Sequence, residues 1–186
     1  MKSILERTTA DLQTLLPSLR ALEFEMTRLG EALMGAWAKR GKALIAGNGG
    51  SAADAMHLAE ELVVRFQKNR RALAAMALLD TTAITCAGND FGFDHVFSRQ
   101  VEAFGNPGDV FIGFTTSGNS PNVLKAFEAA KQQGMVTAGF LGKDGGKAKE
   151  LCDITLLVPS PVTARVQEGH KVLYHSLCEW VDQRVS

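Results

Sequence analysis

The sequence lacks the features that direct a chain to nucleic acid, to a membrane or to an oxidising compartment. Lysines and arginines number 20, aspartates and glutamates also 20, so the formal charge is zero, and no run of basic residues disturbs the balance. Clustered positive charge is what holds a phosphate backbone or an anionic bilayer, so neither is an expected partner and small solutes fit better. Only three cysteines occur, Cys86, Cys152 and Cys178, an odd number without CxxC spacing and each among apolar neighbours. They are expected to be reduced core residues rather than disulfide or metal ligands. Charges are scattered through the first forty positions with no apolar run, so neither a signal peptide nor a membrane span is read there, and a cytoplasmic protein is expected. No internal repeat or low-complexity linker breaks the chain. With 186 residues, 46% of them hydrophobic, one domain over 1–186 with one good core is expected.

The most informative stretch is KALIAGNGGSAADAMHLAEE, Lys42 to Glu61. Lys42–Ala46 reads as a short buried strand, Gly47–Gly50 as a tight turn, and Ser51–Val64 as a helix with Ser51 as N-cap. Glycines let a ligand approach the backbone, and the first amides of a helix lack partners within it. Together with the helix dipole they favour an anion, and phosphate is the natural guest. One turn further in, His57 and Glu61 stand four apart on one helical face, near enough to share a metal ion or a substrate.

Before this stretch, Leu12, Leu15, Leu19, Leu22, Met26, Leu29 and Leu33 alternate steps of three and four within a helical region, 3–39. That seam can lie on the chain's own core or against another copy of it. Pro17 should break or kink the helix near Leu16, giving two segments. After the central stretch, strands are expected at Arg71–Leu79, Asp109–Phe114, Val136–Leu141 and Ile154–Val158. Helices are expected at Thr81–Ala87, Phe93–Phe104, Pro121–Gln133 and Thr163 to about Gln183, with a short one after GKDGGK. Strands that are apolar throughout and alternate with helices belong in a parallel sheet covered on both faces: an α/β, doubly wound, five-stranded architecture with an N-terminal helical segment over 1–39 and an α/β core over 40–186.

Ligands of such sheets bind beyond the carboxyl ends of the strands. The third strand ends in TTSGNS, four hydroxyls in six residues, with Gly118 for a sharp turn and Ser120 placed to cap the next helix. Hydroxyls and free amides can wrap a phosphate without lysine or arginine. TTSGNS alone reads as an ordinary polar turn, as His57 and Glu61 alone read as a surface contact. Paired with GNGGS on another strand, TTSGNS points to a sugar phosphate or similar anion. The last helix carries Gln167, His170 and His175, with Gln167 and His175 about 80° apart on broadly one side. Histidine, carboxylate and amide oxygen would suit a zinc site or an acid and base acting on a sugar. His170 reads as supporting or structural, and His95 as a packing residue.

GNGGSAADAMHLAEEL, GNDFGFDHVFSRQVEA, TTSGNSPNV and TARVQEGH with His175 resemble, in order and spacing, the sugar isomerase (SIS) domain family, most closely its bacterial phosphoheptose isomerases. The resemblance implies an SIS fold and an aldose-ketose isomerase converting sedoheptulose 7-phosphate to D-glycero-D-manno-heptose 7-phosphate through an enediol. That is the first step toward ADP-heptose and its lipopolysaccharide. It implies zinc held by His57, Glu61, Gln167 and His175, with Glu61 as base and His175 as acid. It places sugar-phosphate contacts on Asn48, Gly49, Gly50, Ser51, Glu61, Arg65, Asn89, Asp90, Thr115, Thr116, Ser117, Ser120 and Gln167, and it implies a cytoplasmic homotetramer with sites between subunits. Thr115 stands where the family commonly has serine, and Val64 where it often has glycine. Relatives that bind a replication initiator protein without catalysis lack residues matching Glu61 and His175, and both are present here.

Two other readings compete. Gly47-x-Gly49-x-x-Ala52 loosely fits a dinucleotide fingerprint, but the acid expected about 20 residues on is missing, Asp80 lying well beyond that distance. A non-catalytic SIS module that binds a sugar phosphate or docks to a protein is the other. Isomerases of glucosamine or arabinose phosphates usually carry further domains.

Overall fold

In the computed structural model, which describes residues 3–185, seven α-helices surround one five-stranded sheet. Positions 1, 2 and 186 of the expected domain lie outside the described residues. The order is α1 (Ile4–Leu19), α2 (Glu23–Ala38), β1 (Ala43–Gly47), α3 (Gly50–Val63), β2 (Ala75–Ala77), α4 (Thr81–Asp90), α5 (Ser98–Phe104), β3 (Val110–Thr115), α6 (Pro121–Gln132), β4 (Val136–Gly142), β5 (Ile154–Val158) and α7 (Thr163–Asp182). All pairings are parallel, in the order β2-β1-β3-β4-β5, with Ala43 opposite both Ala75 and Val110.

Successive strand side chains point to opposite faces, so each apolar strand feeds two cores. Ala43, Ile45, Val110, Ile112 and Phe114 pack under α2, α3 and α7 with Leu29, Leu33, Leu58, Leu62 and Tyr174. Leu44, Ala46 and Phe111 pack under α4 to α6 with Val96, Phe97, Val123 and Phe127. Close packing sets small residues where layers meet: a methyl at Gly113 would reach 2.5 Å from the Phe127 ring, and one at Gly30 2.6 Å from that of Trp180.

Several boundaries differ from the sequence expectation. The N-terminal segment is two helices, but α1 runs through Pro17 and ends at Leu19. Leu15 and Leu19, on either side of Pro17, are both buried and hold the helix there. Arg20–Leu22, where nothing is buried, becomes the 3-10 turn before α2. β2 shortens from Arg71–Leu79 to three residues. α4 passes through Gly88-Asn89-Asp90, because buried Ala87 anchors its last turn and accepts the Phe91 amide. The helix expected over 93–104 splits into a 3-10 turn at Phe93–His95 and α5. Ser51 is not the cap of α3: Gly49, at φ +56°, holds that place, and Ser51 is buried in the first turn. Ser120 stands at the cap of α6, but its side chain turns to Thr115 instead. Of the cysteines only Cys178 is buried. Cys86 is exposed on the outer side of α4, 3.5 Å from Asp90 Oδ2.

Loops are tied to the core by buried ions. Asp182 Oδ2 accepts the amides of Gln67 and Lys68, and its Oδ1 meets Arg70 Nε at 2.8 Å, fixing the segment after α3 against α7. Burial works against that carboxylate, but these donors outweigh it and hold its pKa below the usual value.

His170 is fully buried in α7, edge-on to Phe114 and Phe140, and donates from Nε2 to the Leu141 carbonyl at 3.0 Å. It is a structural residue. Burial, only partly offset by that carbonyl, pushes its pKa down to about 4. The unfolded chain, with an ordinary histidine near 6.5, therefore takes up this proton first. Stability is complete above about pH 6.5 and lost as the pH falls towards 4, by on the order of 3 kcal/mol. Denaturant titrations at stepped pH should show this slope, and His170→Gln should flatten it.

Candidate active site

β1 and β3 are neighbours, and the chain leaves them in opposite directions, to β2 on one side and β4 on the other. At this switch point the starts of α3 and α6 open on one crevice. On the β1 side, Gly49 adopts a left-handed φ, the Ser51 amide bonds Asn48 O at 3.0 Å, and neither the Gly49 nor the Gly50 amide donates to an acceptor among the described residues. A side chain at Gly50 would run into Gln167, whose Cδ would stand 2.9 Å from a β-carbon there. On the β3 side, buried Thr115 Oγ1 accepts the Gly118 amide at 3.2 Å and lies 3.2 Å from Ser120 Oγ, while Ser117 Oγ accepts the Asn119 amide. Thr116, Ser117 and Ser120 are half-buried. The loops are joined side to side: Asn48 and Asn122 exchange amide hydrogen bonds of 2.8 and 2.9 Å. Two helix starts of a kind suited to an anion thus face one concavity.

α3 and α7 run alongside each other from this crevice and bring together His57, Glu61 and His175, all half-buried. One donor atom from each lies within 4.8 Å of the others. His57 Nε2 stands 3.0 Å from Glu61 Oε1, and the His57 and His175 rings meet edge to face at 5.1 Å. Phe66 stacks on His175 at 5.7 Å. His175 Nε2 is buried without a hydrogen-bond partner, the mark of an atom awaiting a ligand. Burial first, then the nearby His57 charge, lowers the pKa of His175, which favours the neutral imidazole that binds a metal or accepts a proton. Two imidazoles, one of them with its nitrogen unpartnered, and a carboxylate make three donors that could hold a metal ion with a position to spare.

Not every expected residue comes to these places. Gln167 lies on α7 eight residues before His175, about 12 Å of helix rise, so one chain places it against Gly50 at the cradle and not with the trio. Asn89 and Asp90 end α4 exposed, bonded to each other at 2.7 Å and, among the described residues, to neither site loop. Arg65 is exposed just beyond α3. Sequence reasoning passed over Asn122, Asp54 and Tyr174. Asp54 was within reach, since it precedes His57 by three on a helix. Asn122 and Tyr174 carried no local signal, because their partners are 74 and 117 residues away.

Comparison with known proteins agrees with this geometry. The family model described as SIS domain matches residues 9–142. The phosphoheptose isomerase of Paramagnetospirillum magneticum is 53% identical over 171 residues, 91% of this chain and 89% of that one. That of Campylobacter jejuni serotype O:6 is 49% identical over 184 residues, 98% of this chain and 99% of that one. The solved phosphoheptose isomerase of Neisseria gonorrhoeae superposes with a TM-score of 0.90 at 41% identity, covering 97% of this chain and all of that one. A sugar-phosphate complex of Vibrio vulnificus NanR, at 17% identity and a TM-score of 0.70, covers 99% of this chain and 64% of that one and shares the fold alone. With cradle, trio and near-complete matches in agreement, the chain belongs to the SIS-domain family and, within it, to the phosphoheptose isomerases.

Proposed function

We propose that this chain interconverts sedoheptulose 7-phosphate and D-glycero-D-manno-heptose 7-phosphate, supplying the aldose phosphate from which ADP-heptose and lipopolysaccharide heptose are built. The observation that carries the reading is the pairing of a double anion cradle with a carboxylate-imidazole cluster on the helices leaving it. Asn48 to Ser51 and Thr115 to Ser120 hold the phosphate with amides and hydroxyls, and Gln167 over Gly50 reaches the sugar beside it. Isomerisation moves a proton between C1 and C2 through an enediol. Glu61 takes the proton from one carbon and returns it to the other, and His175 serves the carbonyl and ring oxygens as acid. One zinc per subunit, held by His57, Glu61 and His175, would polarise those oxygens when bound.

Along α3, Gly50 and Glu61 are eleven residues apart, about 16 Å of helix rise. With the two so far apart along one helix, we infer that a cradle is completed by the acid and base of a partner, in the homotetramer that the family resemblance implies. Gln167, at the cradle, then joins a partner's trio as the fourth donor, and Asn89, Asp90 and Arg65, exposed in one chain, come to substrate across the same contact. An open apolar hollow of about 360 Å³ beside Leu16, Leu19, Leu22, Met26 and Val172 offers surface for such packing. A substrate drawn from the sugar-phosphate pool places the enzyme in the cytoplasm.

The test is turnover of sedoheptulose 7-phosphate by the metal-stripped protein, with and without added zinc. The aldose phosphate should form, with kcat rising at least about tenfold on zinc addition if the ion assists the chemistry. Binding of the sugar phosphate without turnover under either condition would sink the isomerase reading and leave a non-catalytic sugar-phosphate module.

A further inference from the structure

Tyr174, which neither the acid-base scheme nor the ligand set uses, is fully buried in α7, and its hydroxyl sits among three polar groups. His57 Nδ1 lies 3.0 Å away, Lys171 Nζ 2.9 Å and Asp54 Oδ1 3.5 Å. Lys171 also stands 3.5 Å from Asp54 Oδ1, and the other oxygen of this buried carboxylate, Oδ2, has no partner. We propose that Tyr174 is a positioning residue for His57: its hydroxyl, backed by Asp54, holds the imidazole by Nδ1 in the orientation and tautomer that leave Nε2 bare for a metal ion. This inference rests on the reading of His57, Glu61 and His175 as a metal site.

The assignment follows from counting donors and acceptors. A lysine ammonium only donates, so one lone pair of the Tyr174 oxygen is taken by Lys171. The other lone pair and the hydroxyl proton face His57 and Asp54, and two arrangements give that proton an acceptor. In the first, Tyr174 donates to His57 Nδ1, and Nε2 carries the ring proton and donates to Glu61 Oε1, 3.0 Å away. In the second, Nδ1 carries the ring proton and donates to the Tyr174 oxygen, while the Tyr174 proton turns to Asp54. Nε2 then presents a lone pair towards the Glu61 carboxylate. Two lone pairs facing at that distance repel each other unless a cation lies between them, so the second arrangement belongs to the metal-bound state and the first to the metal-free one.

The hydroxyl serves both states without moving, by reversing one hydrogen bond. Asp54 explains why the reversal is available: its carboxylate is 4% exposed, and Oδ1, 3.5 Å from the hydroxyl and otherwise met only by Lys171 at 3.5 Å, can accept the turned proton. Histidine ligands ordinarily donate their second nitrogen to a carboxylate or carbonyl. Here the carboxylate acts one step removed, through a phenol.

The experiment is zinc affinity of the metal-stripped full chain, by competition with a chromophoric chelator, for the parent, Tyr174→Phe and Lys171→Met. Phenylalanine fills the same space and removes only the hydroxyl, and it should weaken zinc binding about 10- to 100-fold. Lys171→Met leaves the hydroxyl in place and should bind zinc within about fivefold of the parent. In the metal-free parent, the 15N shifts of the His57 ring should report the Nε2-protonated tautomer, with its population changed in Tyr174→Phe. A Tyr174→Phe affinity within about threefold of the parent would overturn the proposal, and so would an equal loss in Lys171→Met, which would trace the effect to the lysine. If the parent itself takes up no zinc, the metal-site reading falls and takes this inference with it.

Discussion

Glu61→Gln is expected to lower kcat by on the order of 10³-fold or more while leaving the affinity for the sugar phosphate close to that of the parent. The amide keeps the size of the carboxylate and can still bond His57 Nε2, now at 3.0 Å, so the local packing has little cause to change. What it cannot do is take a proton from carbon. A base works only in the transition state, so its loss falls on kcat and not on KM. Glu61 is also part of the candidate metal site, and saturating zinc separates the roles. If turnover returns when zinc is raised, the carboxylate acted chiefly as a ligand. If zinc binds and turnover stays absent, it acted as the base. Retention of turnover within about tenfold without added zinc would remove Glu61 from both.

Gly118→Ala is expected to destabilise the fold by about 3–5 kcal/mol and to abolish sugar-phosphate binding. Gly118 has φ +66°, a conformation strained for alanine, and the added β-carbon would lie inside the contact radius of the Gly145 carbonyl. Neither side can yield easily. The Ala148 amide donates to Gly118 O at 2.9 Å, the Lys147 amide to Asn119 Oδ1 at 3.1 Å, and Gly145 and Gly146 both have positive φ. The TTSGNS and GKDGGK loops are thus interlocked backbone to backbone, and any shift of Gly118 pulls its amide from Thr115 Oγ1 and opens the hydroxyl cradle. Urea denaturation would show the loss as a lowered midpoint, and calorimetry would show that phosphate binding goes with it. A change below about 1 kcal/mol would mean that the loops are independently mobile.

Most of the architecture was legible because it rests on local periodicity. The short, mostly apolar runs at Val110–Thr115 and Ile154–Val158 read as strands, one inside the sheet and one at its edge, and their alternation with helices points to a parallel sheet covered on both faces. Errors fell where tertiary contacts outweigh local preference. Pro17 failed to end α1 because Leu15 and Leu19 are buried on either side of it. The apolar stretch around β2 pairs over only three residues, at the sheet edge. Cys86 resembled a core residue by its neighbours, but the face of α4 that carries it looks outward.

The sequence by itself determined the sheet, the two glycine- and hydroxyl-rich loops, and the placing of His57 and Glu61 on one helical face, since turn chemistry and the helix repeat act over a few residues. Only the tertiary structure decided what meets across the chain. The order β2-β1-β3 sets the two loops side by side and lets Asn48 pair with Asn122. The course of α7 beside α3 brings His175 to His57 and Glu61, leaves Gln167 at the cradle, and buries Tyr174 against His57. These are pairings of side chains more than 70 residues apart, fixed by how helices pack on a sheet, and no local pattern in the sequence encodes them.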